Sequence, residues 1–94
     1  MRATELLTIL SVDFQHDAVQ EIKIELKDQV YSIGQITKNQ DQLILAAAEV
    51  TQKPLETKEL VNALMLNKSL QLIKKKETSE MIYGCRIEKN WLIL

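Results

Sequence analysis

The second half of this chain repeats the course of the first, a short amphipathic helix signal followed by strand signals, which points to two similar helix-plus-sheet units. Placing Met1–Leu10 over Leu55–Leu64 brings Glu5, Leu6 and Leu10 onto Glu59, Leu60 and Leu64. Further on, Ile36-Thr37-Lys38-Asn39 falls over Ile87-Glu88-Lys89-Asn90, and Leu43-Ile44-Leu45 over Leu92-Ile93-Leu94, with the blocks in the same order. Solenoids need three or more copies with periods of about 20 to 50 residues, so two copies suggest one pseudo-symmetric domain. Two readings stand at this point: a duplication, or two halves obeying the same patterning rules.

Along the chain, Ala3, Leu6, Leu7, Leu10 and Phe14 share one helix face, predicting a helix over 3–14 with Gln15-His16-Asp17 as its exit loop. Ile22, Ile24 and Leu26 alternate with Lys23, Glu25 and Lys27, the period of a strand with one buried face. Lys27-Asp28-Gln29 then turns into a second strand, Val30 to Ile36, closed by Lys38-Asn39-Gln40-Asp41. Leu43 to Ala47 completes a meander, although its alanines would also suit a helix. Thr51-Gln52-Lys53-Pro54 marks the boundary, because proline pushes its predecessor out of helical geometry and itself suits a helix start.

Beyond it, Leu60, Val61, Leu64 and Met65 form a second helix face with Thr57 as cap. Leu70 and Leu72 flank Gln71 in a strand, and residues 74–80 read as a solvated hairpin connection. Met81, Tyr83, Cys85 and Ile87 alternate as one further strand, with Cys85 as a small core residue. Lys89-Asn90 is a two-residue turn into the apolar Trp91–Leu94. The expectation is therefore an α+β fold of two α-β-β-β halves, about 1–50 and 54–94, in a single domain over 1–94. Its antiparallel strands, in one sheet or two, would carry both helices on one face.

Composition fits a folded, water-facing domain: 27% charged and 46% hydrophobic residues are ordinary for a globular chain and argue against disorder. Twelve basic against thirteen acidic residues leave a net charge of -1, so no global field draws the chain onto nucleic acid or an anionic membrane. With one cysteine, no secretory signal at Met1-Arg2 and no long apolar run, the expected setting is cytoplasmic with no membrane contact.

Chemistry-bearing residues are sparse. His16 is the single imidazole and reads as a loop residue; no metal-ligand spacing accompanies it. Cys85 has an arginine neighbour that could lower a thiol pKa, but the sequence context suggests no second histidine and no Asn or Asp to build a Cys-His constellation. Gly34 and Gly84 are the only glycines and fall at comparable strand positions, so there is no phosphate-cradling loop and both read as bulges or close approaches. No catalytic, cofactor-binding or metal residues are therefore expected, and no enzyme.

Lys68, Lys74, Lys75 and Lys76 form the one basic cluster, a candidate phosphate contact blunted by Glu77 and Glu80. Tyr31, Tyr83 and Trp91 fall in expected strands, where aromatics serve either base stacking or protein contact. Without a basic surround, protein contact is favoured, with Trp91, Ile93 and Tyr83 as the candidate interface.

The opening, Met1-Arg2-Ala3-Thr4-Glu5-Leu6-Leu7 through Ile22-Lys23-Ile24 to Tyr31-Ser32-Ile33-Gly34-Gln35-Ile36, resembles small phage and mobile-element accessory proteins of Gram-positive bacteria, whose first helix carries Glu-Leu-Leu or Glu-Leu-Ile before the strands. That resemblance covers the first half; residues 55–94 depart from the single-unit pattern. It implies an accessory protein that acts by binding. The leading expectation is a non-enzymatic protein-protein interaction module with an unidentified protein partner or a second copy of itself. A weak nucleic-acid-binding regulator and an inhibitor of a host defence protein are the alternatives.

Overall fold

A computed structural model describes residues 1–13 and 20–94. The elements run α1 (Ala3–Asp13), β1 (Glu21–Leu26), β2 (Gln29–Asn39), β3 (Gln42–Ala47), α2 (Thr57–Leu66), β4 (Gln71–Lys75), β5 (Ser79–Met81), β6 (Arg86–Glu88) and β7 (Trp91–Ile93). Phe14 and His16 lie outside the described residues, so the readings made of them have no structural counterpart here.

The strands form one mixed sheet in the order β5-β4-β3-β2-β1-β7-β6. The expected all-antiparallel sheet is corrected at two joints: β3 pairs parallel with β4, and β7 parallel with β1. The first follows from α2, since a helical crossover returns the chain in the direction it left. The second brings the last strand beside the first.

Chain reach shows that the sheet is rolled. Laid flat, strands spaced about 4.8 Å apart would separate the edges β5 and β6 by about 29 Å, yet residues 81–86 span at most about 18 Å. The sheet must therefore curl until its two edges face each other across a seam, bridged by Ile82, Tyr83, Gly84 and Cys85. Lys74 Nζ, on β4, accordingly reaches the Leu94 carbonyl at 3.3 Å, although β4 and β7 are separated by three strands in the sheet order.

One core fills the interior. Ile22, Ile24 and Leu26 of β1, Leu43 and Leu45 of β3, Leu72 and Leu92 share it with Ala3, Leu6 and Leu10 of α1 and Leu60 and Leu64 of α2. Both helices start alike: the Arg2 N–H donates to Glu5 Oε1 at 3.1 Å, and the Glu56 N–H to Glu59 Oε2 at 3.0 Å. Glu at the third helical position thus satisfies a donor that the helix leaves unpaired. The cap of α2 is Glu56 rather than Thr57, whose hydroxyl donates instead to the Gln20 carbonyl at 3.2 Å. Met65, expected on the buried face, is exposed.

The strand boundaries show where context overrode local preference. Alanine-rich β3 is a strand because β2 and β4 bond both of its sides. Lys74 and Lys75, expected in a hairpin connection, continue β4, their long stems letting the ammonium groups reach past the sheet.

The expected strand from Met81 to Ile87 is two strands on opposite edges. Met81 pairs with Ile73, which is buried but lies outside the interior cluster, and Ile87 pairs with Leu92, which belongs to it. The alternation therefore breaks between them, with Ile82 buried and Tyr83 and Cys85 exposed.

Pairing in the two halves can be set side by side. β2 pairs with β1 through residues 29–32 and with β3 through 33–39, its register shifting around Gly34. In the second half, β5 pairs with β4 and β6 with β7, and Gly84 lies in the break between them. Leu43 and Leu92 each follow the residue that closes a two-residue turn, as the sequence overlay has them. By the same register Ile87 corresponds to Lys38 rather than Ile36, so that block of the overlay does not carry over.

Candidate functional site: the seam of the rolled sheet

The seam is where, among the described residues, the sheet leaves the outer edges of β5 and β6 without a neighbouring strand. A groove of about 550 Å³ opens there, lined by Lys74, Glu80, Met81, Tyr83 and Gly84. Tyr83 is 84% exposed, and Met81 and Ile87 are also exposed large apolar side chains. All three residues of β5 and all three of β6 are exposed.

At Gly34, by contrast, the sheet is covered. The Gln52 side chain donates Nε2 to the Gly34 carbonyl at 2.9 Å, and its Oε1 accepts the Glu49 N–H at 3.2 Å. A Cβ at Gly34 would lie 2.6 Å from Gln52 Oε1, whereas one at Gly84 would meet nothing within 4 Å. Only the first glycine is a close approach, correcting the equal reading of both.

Beside the seam, Arg86 holds the outer surface of β6, β7 and β1 together. Its Nη1 and Nη2 donate to Glu25 Oε1 and Oε2, each at 2.8 Å, and its Nε donates to Glu88 Oε2 at 3.0 Å. These paired, charge-assisted bonds hold the Glu25 carboxyl below the usual carboxylate range and push the guanidinium further up. Arg86 lies opposite Ile93, and Ile93 opposite Lys23. The bridge from β6 to β1 therefore passes over Ile93, which is 2% exposed.

The sequence-picked interface residues thus differ in availability. Tyr83 is open, Trp91 is half-buried, and Ile93 presents no accessible side chain in the single chain. Lys23 Nζ sits 4.6 Å and Lys89 Nζ 5.6 Å from the Trp91 ring centre, so cations occupy the indole's surroundings. Sequence reasoning missed Met81, Ile87 and Arg86 as seam residues. The signal for Ile87 was its place next to a two-residue turn at the end of a strand.

The lysine cluster is divided, with Lys75 and Lys76 lining one hollow and Lys74 and Lys68 lying elsewhere. Lys74 is tied to the Leu94 carbonyl, and Lys75 points to the opposite side of β4, lining a separate hollow with Gln35, Thr37 and Gln52. Lys76 Nζ lies 4.4 Å from the Tyr31 ring centre, and Lys68 sits in the turn before β4.

Among the described residues there is no group of three His, Cys, Asp or Glu suited to a metal, and no polar or charged residue is buried. No helix among them is long and apolar enough to cross a membrane. Comparison with protein-family models, with curated proteins and with solved structures gives no match.

Proposed function

We propose that the chain is a non-enzymatic protein-protein interaction module that engages its partner at the seam. The observation that carries this reading is the coincidence at the seam of two strand edges, unpaired by any other described strand, with a groove lined by exposed Met81 and Tyr83 and with exposed Ile87 on the β6 edge itself. Exposed edges and apolar side chains are what a partner strand recognises: backbone bonds give affinity and the side chains selectivity. The resemblance of the first half to phage and mobile-element accessory proteins supplies the setting.

The test is a tagged pull-down from a bacterial lysate, split into nuclease-treated and untreated halves, with Tyr83→Ser run alongside. A protein retained in both halves and lost with Tyr83→Ser is the expected result. Recovery that vanishes with nuclease, or is indifferent to Tyr83, removes the reading.

We further read the two halves as copies of one α-β-β-β unit with their helices on a common face, β5 and β6 together standing where β2 stands in the first half. Supporting this are the matched Glu caps, the buried pairs Leu6/Leu60 and Leu10/Leu64, and Gly34 and Gly84 at the two bends.

A further inference from the structure

We infer that the partner at the β6 edge is a second copy of this chain, paired antiparallel about a two-fold axis through Ile87; this rests on the seam being a contact surface. The direction of the backbone groups comes first. The two-residue turn Lys89-Asn90 makes Glu88 and Trp91 the hydrogen-bonded closing pair of the β6–β7 hairpin. Alternation then points the N–H and C=O of Arg86 and Glu88 toward β7, and those of Ile87 outward. A strand meeting this edge must bond to Ile87, and two identical edges can do so reciprocally, Ile87 to Ile87, in an isologous contact.

Charge then selects the register. Centred on Ile87, the pairing sets Arg86 opposite Glu88 of the other copy, twice by symmetry. Slipping by one residue in the sum of positions sends the outward groups out of phase. Slipping by two sets Arg86 against Arg86, or Glu88 against Glu88, and like charges directly opposite destabilise a sheet. The Ile87 register is the one that satisfies both the backbone and the charges. Arg86 can serve it without leaving its own chain: three of its N–H groups are used on Glu25 and Glu88, and a guanidinium has five.

Three residues a side fall short of the roughly 1,200 Å² that a stable interface buries, so the contact is expected to be weak, with Tyr83 and Met81 adding area. Sedimentation equilibrium across a concentration series into the millimolar range is the experiment, with far-ultraviolet circular dichroism confirming that each variant folds. Wild type should show a reversible dimer. Ile87→Pro removes the outward donor and leaves the β6–β7 bonds in place, and it should abolish the dimer. Glu88→Arg places arginine opposite Arg86 and should weaken the dimer about tenfold. Mixing Glu88→Arg with Arg86→Glu should yield a heterodimer tighter than the homodimer of either variant.

If Arg86→Glu fails to fold, Ile87→Cys in a Cys85→Ser background replaces it, and a disulfide-linked dimer is expected on mild oxidation. A wild type that stays monomeric throughout, or a dimer indifferent to both Ile87→Pro and Glu88→Arg, overturns the inference. A monomer whose lysate partner is still lost with Tyr83→Ser overturns the self-pairing alone; loss of both results removes the interaction reading as well.

Discussion

At Gly34, the backbone carbonyl is bonded by Gln52 and a methyl group would lie 2.7 Å from Ala48 Cα. Gly34→Ala must displace the 48–52 turn, and a loss of about 1–3 kcal/mol is expected in urea unfolding. Gly84→Ala, in open space, should stay within about 0.5 kcal/mol of wild type. The Glu25–Arg86 pair has its own signature. Glu25 is held below the ordinary carboxylate range, so its contribution is in full force above the unfolded carboxylate value and is lost as pH falls through the native one. Wild type should lose stability relative to Glu25→Gln only on acidification, as seen in thermal unfolding from neutral to acid pH. What the sequence hid at this scale was direction. Cys85 looked like a core position, and Tyr83 like a residue within the same strand, because alternation from Met81 to Ile87 was continued through a stretch where the chain crosses between sheet edges and stops alternating.

Each helix is held by two buried leucines and a Glu that reaches back to its first turn. Leu6→Ala and Leu64→Ala should each cost about 2–5 kcal/mol, whereas Met65→Ala and Leu66→Ala, both exposed, should be near neutral in the same denaturant series. The helices and β1 were legible because their apolar spacing is strict and their ends carry Pro54, Lys27-Asp28 or a matched Glu. The Lys89-Asn90 turn was legible for the same reason. β4 and the broken strand were not. Lysines read as solvent-facing loop until a parallel neighbour on one side and an antiparallel one on the other make the backbone a strand. That the helices and one face of the sheet would be apolar could be seen in the pattern; which faces meet depends on pairings that no local window contains.

For the whole molecule, the decisive arrangement is the order in which strands meet around the roll, which follows the chain from β1 to β7 and returns to β1. If the halves are copies, the joint between β7 and β1 is equivalent to the one between β3 and β4. A permuted chain that starts at Gln52, with Leu94 joined to Met1 by a linker as long as residues 48–56, should then fold with a single cooperative transition. A permutant that stays unfolded would count against the duplication. The α+β class was foreseeable from the helix and strand signals, but parallel joints were not, since strand direction is set by the crossover and by closure rather than by residue type.

The pairing of β1 with β7 also orders events during synthesis. Ile22, Ile24 and Leu26 are made well before Trp91 to Leu94, on which one flank of their strand depends. A nascent chain therefore carries an apolar strand with an open side until residues 91–94 have been made. Such late, long-range closure slows folding and leaves a window for association with other chains. Slowing translation between the codons for β1 and those for residues 91–94, or depleting chaperones, should lower soluble yield more than the native stability of the folded chain would suggest.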